Sequence, residues 1–362
     1  MQPAKVDHDD DRIGALLARR RALEVEGGDG ESGNFLFGWQ CENPFAYRLL
    51  EETREQAKGI DRVRYTYLED DTVLSESIRT MHREFGENSP QSVFCGAGAM
   101  SILFTFATYL RSLQVTEVYY LGPIYFSMHY ALRLLGIRAR SISALHAFEV
   151  GFKMNLPAER CILILSDPIW YAAQPTPAST LSEIQAWQTR TGSTVFVDGG
   201  FQYMSWESEI AEPTSKFDSG LTIRLVSPTK SLAVSGYRFA YALLPHAWRA
   251  DFAHCYTNIY GSSNAENLVF AQLAVSAMAS REITQALIAH MRHRHSRLRG
   301  QGITRSTVEP RRGFFAFEEL LMALPAGYLS MGGEYFDQPR YPGYCRINLL
   351  SPSFGILLKD EL

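Results

Sequence analysis

Short apolar runs recur along the middle of the chain, each parted from the next by a longer segment. Ser92-Val-Phe-Cys95, Glu117-Val-Tyr-Tyr-Leu121, Ile137-Arg-Ala-Arg-Ser-Ile142, Cys161-Ile-Leu-Ile-Leu-Ser166, Thr194-Val-Phe-Val-Asp198 and Leu221-Thr-Ile-Arg-Leu-Val226 read as strands. The run from Cys161 is apolar nearly throughout, as in a strand covered on both faces. After Cys95 a long apolar helix is predicted to about Leu113, and after Leu121 a helix that stops at Gly136. Thr180-Leu-Ser-Glu183 reads as a capping box opening a helix that stops near Gly192. The alternation predicts a βαβ series, hence an α/β fold with a mostly parallel central sheet sandwiched by helices. Ligands of such sheets bind beyond the carboxyl ends of the strands. Cys95, Asp198 and Ser227 to Lys230 all fall at such ends, so they can converge on one cleft.

Composition narrows the class. With 362 residues and 46% hydrophobic content the chain can bury a large core and build two lobes. A net charge of -4 gives no reason to expect nucleic acid. No apolar run approaches the ~20 residues of a membrane span. The start, Met1-Gln-Pro-Ala-Lys-Val-Asp-His-Asp-Asp-Asp11, has no apolar signal core, so a soluble cytoplasmic protein is expected. The five cysteines are scattered without metal spacing, which predicts reduced thiols and no metal. The last four residues, Lys359-Asp-Glu-Leu362, spell a retention signal, read here as chance resemblance in the absence of a leader. His290-Met-Arg-His-Arg-His295 would go all round a helix, which favours a solvated helix over a metal or nucleic-acid site.

The densest chemistry lies in Ser227-Pro-Thr-Lys230-Ser-Leu-Ala-Val-Ser-Gly236-Tyr-Arg238, just past a buried strand. A lysine at a strand end can be held in a cleft with its pKa depressed, as an amine that bonds an aldehyde requires. A hydroxyl and a guanidinium nearby suit a dianionic phosphate. Together they point to pyridoxal phosphate; the plain alternative is an exposed loop lysine beside an unrelated arginine. In Cys95-Gly96-Ala97-Gly98-Ala99, small residues let backbone amides approach a phosphate at a helix N-terminus, or simply allow close helix–sheet packing. Asp198 ends an apolar strand before Gly199-Gly200, where a carboxylate is costly unless paired. A protonated pyridine nitrogen would pair it; a capping or loop aspartate is the alternative. Tyr125, in Gly122-Pro-Ile-Tyr125, suits a stacking role or the core equally. Arg346, in Tyr344-Cys-Arg346-Ile-Asn348, suits a substrate carboxylate or a surface salt bridge.

In their order these pieces resemble the class I/II aminotransferase family of fold-type I pyridoxal-phosphate enzymes, from about Tyr65 to Asn348. The resemblance implies a homodimer acting on an α-amino acid with pyridoxal 5′-phosphate. Its phosphate turn, Ser-Gly-Thr-Gly-Ala in the family, reads as Cys95-Gly96-Ala97-Gly98-Ala99. Tyr125 matches the stacking aromatic, Asp198 the partner of the pyridine nitrogen, and Ser227, Lys230 and Arg238 the Ser-x-x-Lys block with its arginine. Lys230 then forms the Schiff base and acts as general base. Tyr67 matches the tyrosine that reaches the neighbouring subunit's phosphate. Arg346 matches the arginine for the substrate α-carboxylate, and Asn34 to Trp39, with Gly38, the segment over the substrate. The implied partition is a mobile arm over 1–33, a small α+β domain from 34–57 and 266–362, and a cofactor-binding domain over 58–265.

Departures from the pattern are informative. Gln174, in Gln174-Pro-Thr-Pro177, stands where the family has Asn in Asn-Pro-Thr-Gly, and Phe201 stands where a Tyr donates to the ring oxygen. Such donors help set the pKa of the imine. Ile169-Trp-Tyr-Ala-Ala173 is a local insertion whose aromatics are placed to line the substrate pocket. The family's long final helix is absent or short. The reading is an amino-acid aminotransferase, with a lyase, β/γ-replacement or oxidase variant as alternative. A regulator that merely binds the cofactor would need a DNA-binding module, and the first ~55 residues carry no clear helix-turn-helix.

Overall fold

The computed structural model describes residues 38–87, 91–207, 210–305, 308–324, 331–336 and 340–358. The expected arm, residues 34–37 of the expected substrate-covering segment, and Lys359-Asp-Glu-Leu362 lie outside the described residues.

The chain forms two compact units. The larger comprises Asn43–Ala289 and Arg311–Gly313; the smaller comprises the chain up to Glu42, His290–Pro310 and Phe314–Leu362. This differs from the expected partition at 43–57, 266–289 and 311–313, which belong to the larger unit. The reason is packing: Leu49, Phe270, Ala274 and Met278 share one core cluster with Ile78, Val93 and Tyr241.

In chain order the larger unit contains α1 (Tyr47–Ala57), α2 (Thr72–Glu84), β1 (Ser92–Gly96), α3 (Ala99–Ser112), β2 (Glu117–Leu121), α4 (Phe126–Leu134), β3 (Arg138–Ser141) and β4 (Ile162–Ser166). It continues with α5 (Ala178–Thr191), β5 (Thr194–Gly199), β6 (Thr222–Val226), α6 (Pro228–Ser231), β7 (Ala240–Leu244), α7 (Arg249–Tyr260) and α8 (Ala265–Ser280). Helix α9 (Glu282–Gly300) begins there and runs on into the smaller unit.

The sheet order is β1-β7-β6-β5-β4-β2-β3. Strands β3, β2, β4, β5 and β6 are parallel. β7 runs antiparallel between β6 and β1 and is absent from the strand set read off the sequence. It follows β6 without a full crossover helix, so the alternation that reveals parallel strands does not reveal it. Side chains alternate between two cores. Phe94, Ile223, Leu225 and Ala242 face one layer with Phe106 and Phe252. Val93, Cys95, Val226 and Tyr241 face the other, with Leu74, Ile78 and Phe270. Phe106 stacks on Phe196 at 4.2 Å, and burying such a ring contributes ~1.5–3 kcal/mol.

Helix α5 starts at Ala178, earlier than the capping box read from Thr180 to Glu183. Pro177 at φ -54 presets the entry without a side-chain cap, and Thr180 is buried in the first turn. Gly192 ends the helix at φ 65.

The smaller unit carries the antiparallel sheet β10-β11-β9-β8, formed by β8 (Thr304–Arg305), β9 (Phe315–Leu320), β10 (Met331–Gly332) and β11 (Tyr344–Asn348). The histidine run lies in α9, but not wholly in solvent as expected: His295 is buried and bonds to the Glu318 carboxylate of β9. Its helical spacing from Met291 and Leu298 turns it to the core. Among the described residues no group of three or more His, Cys, Asp or Glu could hold a metal ion, and no helix is long and apolar enough to cross a membrane.

Candidate active site

Asp198 lies one residue from the end of β5, paired with Ser166 of β4 and Leu225 of β6. Burial pushes its carboxyl pKa up; nearby Lys230 and the Gly200 N–H, which donates at 3.1 Å, pull the other way. Lys230 sits in the single turn of α6, directly after β6. Two bonds fix that turn: the Lys230 N–H donates to the Ser227 carbonyl, and Ser231 Oγ donates to the Gln202 carbonyl at 2.9 Å. The second ties α6 to the loop that follows Asp198. A methyl group added to Gly200 would lie 3.2 Å from Asp198 Oδ1 and 3.5 Å from Lys230 Nζ, so both groups converge above this glycine. Lys230 Nζ is also 5.4 Å from the centre of the Tyr125 ring and 4.7 Å from that of Phe201.

The glycine turn after β1 forms a second focus. Gly98 is the N-cap of α3 at φ 87, in a region that suits glycine. A Cβ there would come 2.9 Å from Arg238 Nη2, so the turn and the guanidinium share one small space. The first N–H groups of α3 have no partners within the helix, and the helix dipole favours an anion there. Cys95 contributes no ligand: its side chain is fully buried, and burial pushes its thiol pKa well up. Ser227, also buried, places its hydroxyl 3.3 Å from that of Thr229.

Gln174 closes the inserted loop. The Ile169 N–H donates to the Gln174 carbonyl, and Gln174 Nε2 donates to the Ala172 carbonyl at 3.3 Å. Asp167 Oδ1 accepts the Thr176 N–H at 2.9 Å, fixing the Gln174-Pro-Thr176 turn to the end of β4. The loop is buried from Ile169 to Gln174, and Trp170 meets the Tyr125 ring edge-on at 5.5 Å. Tyr67 stands apart on an exposed segment with Val63 and Tyr65.

In the smaller unit Arg346 lies on β11, 1% exposed. Its guanidinium carbon is 4.5 Å from the Trp39 ring centre and 4.0 Å from that of Phe315. Asn348 Nδ2 donates to the Gly38 and Gln40 carbonyls, each at 2.8 Å, and so holds Trp39 over the arginine. The sequence-predicted residues thus form two groups, one in each unit: Lys230, Asp198, Tyr125 and Phe201 with the Gly98–Arg238 focus, and Arg346 with Gly38 and Trp39.

The sequence model that matches this chain is that of aminotransferase class I and II, over residues 32–349. The chain belongs to the class I and II aminotransferase family. No curated protein matches it in sequence. Solved structures share its fold. The N-succinyldiaminopimelate aminotransferase of Mycobacterium tuberculosis has a TM-score of 0.76 at 17% identity, covering 94% of this chain and 96% of that one. The aspartate aminotransferase of Thermotoga maritima has 0.76 at 16%, covering 98% of each. YbdL of Escherichia coli, described with a methionine aminotransferase function, has 0.72 at 17%, covering 99% and 97%.

Family members generally depend on pyridoxal phosphate, and this aminotransferase is a transferase of that class. The donor set of the larger unit fits the group: an amine and a carboxylate above Gly200, and a guanidinium beside a helix N-terminus with glycine where a Cβ would intrude.

Sequence reasoning missed several residues of the aminotransferase. Tyr256 of α7 accepts the Ala97 N–H from 159 residues away, and no local pattern signals it. A buried polar network lies among the helix and loop ends. Glu87 accepts from Arg224, from the Tyr203 hydroxyl and from the Glu212 N–H at 2.8 Å, and bonds His82 at 3.0 Å. Glu212 pairs with Arg312, yet burial outweighs that cation and holds its pKa at about 7. The Arg311 and Arg312 N–H groups donate to the Ala173 carbonyl, so this short segment also braces the inserted loop.

Proposed function

We propose that this chain is an amino-acid aminotransferase that carries pyridoxal 5′-phosphate covalently on Lys230. The observation that carries the reading is the convergence of Lys230 Nζ and Asp198 above Gly200, beside Tyr125. When bound, the cofactor supplies an electron sink for the bond broken at the substrate α-carbon. Asp198 supplies the anion that keeps a ring nitrogen protonated. Tyr125 supplies a flat face. Gly96, Ala97 and Gly98 shape the phosphate turn, and Ser227 and Arg238 hold the phosphate by hydroxyl and guanidinium. Freed Lys230 takes the substrate α-proton on Nζ and returns it as general acid and base. Arg346, enclosed by Trp39 and Phe315, binds the substrate α-carboxylate with two parallel bonds, and Gly38 and Trp39 border that place.

Gln174 and Phe201 face the ring-oxygen side in this reading. No phenol stands at 201, which favours a second reading as a lyase, replacement enzyme or oxidase on the same fold. We read the enzyme as a cytoplasmic homodimer in which Tyr67 reaches the neighbouring subunit's phosphate. The exposure of Val63 (95%) and Tyr65 (82%) beside it supports that contact.

The test is to load the purified protein with pyridoxal phosphate and titrate it with a panel of amino acids. We expect a visible absorption band that is absent in Lys230→Ala, bleached by an amino acid and restored by a keto acid. No band after loading overturns the cofactor reading. Turnover without any keto-acid dependence transfers the assignment to the second reading.

A further inference from the structure

The turn Cys95-Gly96-Ala97-Gly98 lacks a side-chain hydroxyl, so in the cofactor reading a phosphate beside it depends on the N–H groups that open α3, on Arg238 and on Ser227. Those N–H groups are useful only if the turn is held in one conformation. Two internal bonds do part of this: the Gly98 N–H donates to the Gly96 carbonyl at 2.8 Å, and Ser101 Oγ donates to the Gly98 carbonyl at 2.8 Å. The remaining N–H, that of Ala97, donates to Tyr256 Oη at 2.7 Å.

Tyr256 is built into place. It is 1% exposed, and its ring packs against Phe94 at 5.1 Å and Tyr260 at 5.1 Å. A Cβ on Gly96 would come 3.1 Å from Tyr256 Cε2, so the glycine lets the turn lie against the ring. A Cβ on Gly96 would also come 3.2 Å from Ser101 Oγ, so the ring and that hydroxyl enclose the turn at the same point. With the Ala97 N–H committed to Tyr256, an anion is left with the donors that begin at Ala99 and, in the reading above, with Ser227 and Arg238.

We infer that Tyr256 is a positioning residue for the phosphate end of the cofactor site: it fixes the glycine turn from below, and is not itself a phosphate ligand. The inference rests on the proposed cofactor reading. It implies that the phenol supports the phosphate contacts selectively and leaves those to the aldehyde and ring unchanged.

The test compares equilibrium binding of pyridoxal 5′-phosphate and of pyridoxal to the apo forms of wild type and Tyr256→Phe, followed by absorbance. Loss of one supporting hydrogen bond should weaken pyridoxal 5′-phosphate about five- to tenfold, leaving pyridoxal within about twofold. The ³¹P resonance of the bound phosphate should shift in the variant. Equal weakening of both ligands, or no change in either, overturns the inference. Tighter binding of the phosphorylated ligand also overturns it, since Tyr256 would then be withholding a phosphate donor. If wild type binds neither ligand, the cofactor reading itself has failed. If Tyr256→Phe does not fold, the Ala97 amide of wild type is followed by ¹⁵N NMR as pyridoxal 5′-phosphate is added: an Ala97 N–H that stays bonded to Tyr256 supports the inference, and one that transfers to the phosphate overturns it.

Discussion

Replacing Glu87 with Gln removes one charge from the buried network while keeping its shape. The Glu87 side chain is fully buried, and Arg224, the cation it neutralises, is 2% exposed. Gln would leave that guanidinium buried without a counter-ion, and breaking such a pair costs ~3–5 kcal/mol. Burial alone would raise the Glu87 pKa, but Arg224 and the bond to His82 bring it down from 4.5 to about 2. At ~1.4 kcal/mol per pH unit the shift is worth about 3 kcal/mol. A depressed carboxylate pKa stabilises the fold above the unfolded value, and this contribution is lost as pH falls from 4.5 towards 2. The assay is urea unfolding of wild type and Glu87→Gln by tryptophan fluorescence at pH 7 and pH 3. Wild type should be more stable by several kcal/mol at pH 7, and about 2 kcal/mol of that gap should vanish at pH 3. A gap that stays constant with pH would refute the assignment of this carboxylate as the ionised partner of Arg224.

Two further substitutions test the cofactor end. Gly98→Ala forces a side chain into φ 87 and towards Arg238 at 2.9 Å, which should strain the turn by ~1–3 kcal/mol and weaken pyridoxal 5′-phosphate at least tenfold in an apoenzyme titration; unchanged affinity would show that Arg238 and the turn do not share the phosphate. Phe201→Tyr adds a hydroxyl to a ring 4.7 Å from Lys230 Nζ, and a new donor to the ring oxygen should lower the visible titration midpoint of the loaded enzyme by ~1 pH unit; a midpoint that rises or stays put would place residue 201 away from that oxygen.

What the sequence determined by itself was the periodic part of this protein. Runs such as Cys161 to Ser166, and Leu221 to Val226 apart from Thr222 and Arg224, are apolar because both faces of the sheet are covered, so six strands, a mostly parallel sheet and the carboxyl-end location of Asp198 and Lys230 were legible. The fold those runs specify is shared by solved structures at 17% identity or below. Tertiary structure alone decided the rest. β7 pairs antiparallel with β1 across more than a hundred residues, and Tyr256 meets Ala97 across 159. The partners of Arg224 likewise come from an α2 end, a loop and a second loop that only folding brings together. A buried charge looks in sequence like any exposed one; its partner is fixed by the cost of leaving it unpaired, a cost that exists only once the core has closed around it.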